Sequence, residues 1–201
     1  MAKNLFIVFD GLDGSGKGEM IKRLEKYLSS KGGKVLVTRE PTDGKYGKEI
    51  RKILREEKDP KAGAEKCLNL FVKDREEHLA KDIEPFLSKD GIVICDRYYY
   101  STIAFQHTQG IDMEKVIAEN MAFRTPDIVF ILDLPAEVAL ERIGKRGEGI
   151  EKFEQLDFMK ELRKNFLKLK DELDDNIKII DSSKSKDKVF EQIKKEIDQL
   201  I

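Results

Sequence analysis

The chain has 201 residues, enough for one domain of moderate size with a sizeable buried core. Charged residues make up 38%, yet 38 basic and 39 acidic side chains cancel to a net charge of −1; that excludes a global field drawing the protein onto nucleic acid or an anionic membrane. Only His78 and His107 are present, which argues against a histidine-centred triad or a His-rich metal site, and no apolar run approaches the roughly 18 residues of a bilayer span. The first element is the apolar run Leu5 to Phe9, which reads as a strand. It follows Met1 so closely that a signal peptide is not expected. Next come Gly11-Leu-Asp-Gly-Ser-Gly-Lys17-Gly18 and a helical stripe of Met20, Ile21, Leu24, Tyr27 and Leu28.

Lys34 to Thr38 reads as a second strand, left through Arg39, Glu40 and Pro41. A short helix is expected over 48–56. Leu68, Phe71, Val72, Leu79, Ile83 and Phe86 recur at helical spacing over 62–87. Gly91 to Cys95 is a third strand that ends at Asp96-Arg97-Tyr98, with helical segments expected over 101–106 and 113–122. Asp127 to Leu132 is a fourth strand, and Pro135 suits the first turn of a helix running to about Gly144. After the interruption Lys145-Arg146-Gly-Glu-Gly149, a helix is striped by Phe153, Leu156, Met159, Leu162, Phe166 and Leu169. Asn176 to Ile180 is a fifth strand, and Val189, Phe190, Ile193, Ile197 and Leu200 stripe the last helix.

The strands are apolar on nearly every residue, as strands buried on both faces of a parallel sheet are. Their alternation with helices predicts an α/β fold of three layers: a five-stranded parallel sheet of the P-loop NTPase type, flanked by helices. One domain over 1–201 is expected, with no repeat, low-complexity tract or linker. Cys67 and Cys95 lack a CxxC or ligand spacing and read as small apolar fillers, which suits a reduced, cytoplasmic setting.

Ligands of such sheets gather at the carboxyl ends of the strands. Gly11–Gly18, Arg39–Pro41, Asp96–Arg97 and Asp181–Lys184 each follow a predicted strand and can share one cleft. Strand, glycine loop and helix form the context in which G-x-x-x-x-G-K cradles phosphate. The glycines turn backbone N–H groups inward as an anion nest, the helix adds its positive end, and Lys17 can reach the β- and γ-phosphates. One letter departs from the motif: the Ser or Thr that holds Mg²⁺ after the lysine is replaced by Gly18. Arg142 and Arg146, four residues apart, can project from one face of a helix end. With Lys145 and the glycines at 144, 147 and 149, they suggest a mobile lid over 142–152. An arginine brought onto a transferring phosphoryl group is worth about 10³–10⁵ in rate. A solvated basic helix terminus would explain the same residues. Phe71 and Arg75, also four apart, could stack a base and hydrogen-bond its edge; a plainer arrangement puts the Phe in the core and the Arg at the surface. Asp96 could reach Mg²⁺ directly or through water, or else cap its strand or pair with Arg97.

In order and spacing, these segments resemble the thymidylate kinase family, nucleoside-monophosphate kinases that make dTDP from dTMP and ATP. The likeness covers nearly the whole chain: Phe9-Asp-Gly-Leu-Asp-Gly-Ser-Gly-Lys17, Thr38-Arg-Glu-Pro41, Glu49-Ile-Arg51, Phe71-x-x-x-Arg75, Asp96-Arg-Tyr98, Ser101-Thr-Ile-Ala-Phe-Gln106, Pro126-Asp127 and the basic lid. Only the glycine loop is specific by itself. The resemblance implies ATP and Mg²⁺ as cofactors, dTMP as acceptor and a homodimer. It implies ATP binding by Gly11, Leu12, Asp13, Gly14, Ser15, Gly16, Lys17 and Gly18. Arg142 would lie against adenine, with Asp181, Ser182 and Lys184 closing the other side. Asp13 would also face the 3′-hydroxyl of dTMP. Arg97 would clamp its phosphate, with Arg51 and the Arg39-Glu40-Pro41 turn nearby. Phe71 would stack on thymine with Arg75, Ser101, Thr102 and Gln106 around it, and Phe105 would crowd the sugar C2′. Gly14 stands where some members carry an arginine, which resembles the form whose catalytic arginine comes from the lid and points to Arg146 or Lys145. Without a hydroxyl at Gly18, a water would fill the gap, held by Asp96, Asp10 or Glu19. Two other readings remain: a kinase for another nucleotide or deoxynucleoside, or a nucleotide-binding switch whose catalysis Gly18 has weakened.

Overall fold

The structure, a computed structural model, describes residues 4–56, 63–145 and 156–201. Five strands, β1 (Leu5–Gly11), β2 (Val35–Arg39), β3 (Ile92–Asp96), β4 (Ile128–Asp133) and β5 (Ile177–Asp181), pair in the order β2-β3-β1-β4-β5. Every pairing is parallel. β1 is buried along its whole length, because alternate side chains enter two different cores. Phe6 and Val8 join a core with Leu68, Ile103, Leu162 and Phe166. Leu5, Ile7 and Phe9 face the opposite side and pack with Leu24, Leu28 and Ile193. The helices α1 (Lys17–Ser30) and α9 (Lys186–Ile197) cover that second face. The first face is covered by α3 (Ala64–His78), α5 (Tyr99–Thr108), α7 (Ala136–Gly144) and α8 (Leu156–Glu172). This is the three-layer α/β architecture expected from the sequence.

The chain leaves β1 toward β2 and β3 on one side and later returns to β4 on the other, so the loop after β1 sits at the switch point where ligands collect. Register aligns the strand ends there: Phe9 and Arg39 both lie opposite Asp96, and Asp133 lies opposite Asp181.

Several boundaries differ from the sequence expectation. The helix expected over 48–56 begins earlier, as α2 (Lys45–Glu56), and includes Gly47. A Cβ at Gly47 would come within 1.9 Å of the Thr42 carbonyl oxygen, so this glycine permits close packing instead of breaking the helix. The long helix over 62–87 is interrupted by a π-helical turn, Leu79–Ile83, before α4 (Glu84–Leu87). Pro85 has no N–H to donate backward and its ring would press on the Lys81 carbonyl; the widened turn lies just before it. The helix α6 (Met113–Ala118) stops short of residue 122. There Asn120 donates to the Val116 carbonyl and accepts a bond from Arg75. α5 starts at Tyr99, earlier than expected, because Tyr99 and Tyr100 are buried as its first turn. Cys67 and Cys95 are both buried free thiols. No helix among the described residues is long and apolar enough to cross a membrane.

Candidate active site

The glycine loop leaves β1 with Gly11 at φ +126°, Gly14 at +79° and Gly16 at +98°. Side chains rarely adopt such angles. A Cβ on Gly11 would also lie 2.6 Å from the Leu132 carbonyl oxygen, and one on Gly14 2.7 Å from that of Ala139. Sterics therefore demand glycine at both positions. α1 starts at Lys17 with its free N–H groups facing the loop. Lys17 is almost buried and folds back, donating to the Gly11 and Leu12 carbonyl oxygens at 3.2 and 3.1 Å. Burial and the nearby Arg97 charge hold its pKa below the ordinary lysine value.

Across the loop, Arg97 has a left-handed backbone (φ +69°), an unusual state for a residue with a side chain. Asp10 holds that turn. Its carboxylate accepts from Gly11 N, Tyr98 N, Ser101 N, Ser101 Oγ and Arg97 Nη1. Burial pushes the Asp10 pKa up, opposed chiefly by Arg97. Arg97 Nη1 also donates to the Gly11 carbonyl and to Ser101 Oγ at 2.7 Å, while Nη2 reaches Asp13 Oδ1 at 2.7 Å. Burial works against the Arg97 charge, but Asp13, Asp10 and Asp96 outweigh it and raise its pKa.

Two cavities meet at Asp13 and Arg97, which line both. The larger, about 750 Å³, is walled by the glycine loop with Lys17 and Gly18, by Asp96, Arg142 and Lys145, and by Ser182 and Lys184. The smaller, about 140 Å³, is lined by Glu40, Pro41, Leu54, Phe71, Arg75, Tyr98, Ser101, Phe105, Gln106 and Gln109.

Behind the smaller cavity lies a buried polar network. Arg75 is fully buried, not at the surface, while Phe71 is only half-buried; this reverses the plain core-and-surface arrangement for the pair. Arg75 Nε and Nη2 both donate to Glu40 Oε2, at 3.0 and 2.7 Å. Nη2 also donates to Thr102 Oγ1 at 3.0 Å, and Nη1 to Asn120 Oδ1. The second Glu40 oxygen meets His78 Nδ1 at 3.1 Å, and His78 Nε2 meets Thr38 Oγ1 at 2.7 Å. Glu40 and Thr102 therefore hold Arg75, and Thr102 does not line the cavity.

Two expected site arginines bond to the segment 41–43. Arg39 lines neither cavity and turns its exposed guanidinium to Asp43 at 3.1 Å. Arg51 donates to the Pro41 and Thr42 carbonyl oxygens at 2.9 and 2.7 Å, and so braces the turn after the cis Glu40–Pro41 bond. On the far side, Arg142 bridges the Gly14 and Ser182 carbonyl oxygens at 3.4 and 3.3 Å. Lys184 pairs with Asp181 at 3.4 Å, and Lys145 with Glu141 at 2.5 Å. Arg146 and the lid beyond Lys145 lie outside the described residues.

Asp96 and Asp10, both candidates for Mg²⁺, differ in what they have left to offer. Asp10 is committed to its five donors. Asp96 lines the larger cavity, and its Oδ1 is buried without a hydrogen-bond partner, as is Ser15 Oγ. A buried carboxylate oxygen in that state favours a hard cation. Among the described residues no group of three or more His, Cys, Asp or Glu side chains could hold a metal alone. The donor set thus fits Mg²⁺, which commonly takes one or two carboxylates together with substrate phosphates and water. Sequence reasoning missed His78, Asn120 and Gln109. His78 follows Arg75 by three residues and Gln109 follows Gln106 by three, so same-face spacing was the available signal.

The family model described as "Thymidylate kinase" matches residues 9–193. A protein named "Probable thymidylate kinase" from Pyrococcus horikoshii is 42% identical over 170 residues, covering 83% of each chain. One of the same name from Archaeoglobus fulgidus is 36% identical, covering 98% of this chain and 96% of its own. A "Thymidylate kinase" from Leptospira interrogans is 38% identical, covering 94% and 92%.

Proposed function

This chain belongs to the thymidylate kinase family and phosphorylates dTMP to dTDP with ATP as donor, and we propose that its two adjoining cavities divide that work. ATP takes the larger cavity, with its phosphates on the glycine loop and adenine between Arg142 and the Ser182–Lys184 loop. dTMP takes the smaller one, with thymine on Phe71 and its phosphate at Arg97. The observation that carries this reading is the shared wall: Asp13 and Arg97 line both cavities, so donor and acceptor phosphates would meet there.

Phosphoryl transfer needs positioning and positive charge more than covalent chemistry. Arg97 is held by Asp10, Ser101 and Asp13, so its guanidinium is already aimed when an acceptor phosphate arrives. Lys17, now bonded to loop carbonyls, would turn its ammonium to the β- and γ-phosphates. Asp13, which now accepts from Arg97, would turn to the sugar hydroxyl as the phosphate takes Arg97. Arg146 or Lys145 would bring a further positive charge from a lid over 142–152. Asp96 would hold Mg²⁺, which when bound would supply neutralising charge for the phosphate oxygens. Gly18 leaves its place to water. Arg51, which now braces the Pro41 turn, would stand near the acceptor phosphate together with the Arg39–Pro41 turn.

The chain acts as one domain over 1–201, in the cytoplasm, as a homodimer; family resemblance supports the dimer, and two buried free thiols suit the compartment. The near-zero net charge speaks against nucleic acid or membrane as partners. The acceptor assignment is tested by following ADP release with ATP and Mg²⁺ across dTMP, dUMP, dCMP, AMP and thymidine. dTMP is expected to be preferred and thymidine inert, since it gives Arg97 nothing to hold. Thymidine turnover as efficient as that of dTMP would overturn the clamp.

A further inference from the structure

At the end of α5 the chain turns through Gly110, whose φ is +102°. Gln109 N donates to the Phe105 carbonyl at 2.9 Å, and Ile111 N to that of Gln106 at 3.0 Å. This turn folds Gln109 against Gln106, and Gln106 Nε2 donates to Gln109 Oε1 at 2.8 Å. Both side chains are buried, at 1% and 6% exposure, and both line the smaller cavity. Gln106 Oε1 is buried with no hydrogen-bond partner.

A glutamine amide has two ends of nearly the same shape and opposite chemistry: the NH₂ donates and the oxygen accepts. Whichever end a neighbour captures, the other faces the remaining space. Here the Gln109 carbonyl captures the NH₂ of Gln106 and leaves the oxygen. A buried carbonyl without a donor is costly, and a ligand that brings an N–H removes that cost. Thymine and uracil carry a hydrogen on N3; cytosine has a lone pair there, which would face the oxygen lone pairs of Gln106. Arg75 cannot substitute for this selection by turning, because Glu40, Thr102 and Asn120 fix its guanidinium.

We propose that Gln109 is a positioning residue that sets the amide of Gln106 with its oxygen outward, and thereby selects pyrimidines with an N3–H over cytosine. This rests on the reading that the smaller cavity holds the base of dTMP. The test compares kcat/KM for dTMP and dCMP in wild type, Gln109→Met and Gln109→Glu, at saturating ATP and pH 8. Gln109→Met keeps the shape but loses the acceptor. The dTMP-to-dCMP ratio is expected to fall roughly 10- to 100-fold, through a higher KM for dTMP and a lower one for dCMP, with the KM for ATP unchanged. Gln109→Glu retains an acceptor and is expected to keep the ratio within about threefold of wild type, a rescue that loss of packing alone would not produce. If both variants keep the wild-type ratio, or both lose it equally, Gln109 only fills space and the inference is overturned while the base assignment stands. A wild-type enzyme that does not discriminate dTMP from dCMP would overturn the base assignment itself.

Discussion

The two cavities are built from opposite materials. The larger, about 750 Å³, is walled by glycines, backbone N–H groups and charged side chains. Lys17 bonds to the carbonyls of its own loop, and Asp96 keeps a buried oxygen without a partner. The smaller, about 140 Å³, is backed by a network in which Glu40, Arg75, His78, Asn120 and Thr102 satisfy one another. One region holds bonding capacity in reserve for phosphate; the other has spent most of it on rigidity and keeps Gln106 Oε1 for the base. Chemistry is therefore expected to be most sensitive on the first side, and stability and choice of acceptor on the second.

The largest effect should follow from removing the loop lysine. Lys17→Met is expected to lower kcat by about 10³-fold or more with little change in thermal stability, read by ADP release alongside a melting curve. Wild-type ATP affinity carries the same signature in its pH dependence. Burial and Arg97 lower the Lys17 pKa in the free protein, and bound phosphate would raise it again. Only the protonated lysine holds phosphate well, so affinity should be steady at lower pH and fall as pH rises through that lowered pKa. Binding above it should take up a proton, which calorimetry in buffers of different ionisation enthalpy detects.

On the other side, Glu40→Leu would leave Arg75 and His78 buried without their carboxylate. Breaking a buried ion pair costs about 3–5 kcal/mol, here a fall of roughly 10 °C or more in melting temperature for a chain of this size. A variant melting within a degree or two of wild type would mean that the network contributes little to the rigidity of this side. The smallest effect belongs to Gly18→Ser. A Cβ there meets nothing within 4 Å, so the variant should fold normally and gain about 0.5 kcal/mol or less from helix propensity. With a hydroxyl supplied for the metal, half-maximal rate should come at severalfold lower Mg²⁺. An unchanged Mg²⁺ curve would remove Gly18 from the account of metal binding.

The same division governs what the sequence made legible. The phosphate side is local: strand, glycines, lysine and helix follow one another within Leu5–Ser30, so periodicity and one motif suffice to place them. The central strands β1, β3 and β4 were legible too, because burial on both faces leaves an apolar run; β2 and β5, partly exposed at the edges, showed through their Val, Leu and Ile residues. The base side joins β2, α3, α5 and α6 through side chains far apart in the chain, and no spacing rule links Glu40 to Arg75 or Arg75 to Asn120. Hence the spacing of Phe71 and Arg75 leaves open whether Arg75 meets a base or the surface, and the structure buries it fully at the smaller cavity. Likewise no spacing rule shows that Arg39 turns to Asp43 and Arg51 to the Pro41 and Thr42 carbonyls. Two boundary misses have the same origin: Gly47 and Asn120 act through the neighbours they meet, which local propensity does not contain, whereas Pro85 widens its helix by a local effect.

The most direct test of the division is a pair of Michaelis constants for one variant, Phe71→Ala. Phe71 is half-buried in the wall of the smaller cavity and absent from the larger. The KM for dTMP is expected to rise about tenfold or more, since base–aromatic stacking is worth about 1–3 kcal/mol, while the KM for ATP stays within twofold. A parallel rise in both constants, or an unchanged KM for dTMP, would contradict the assignment of base and phosphate to separate walls of one cleft.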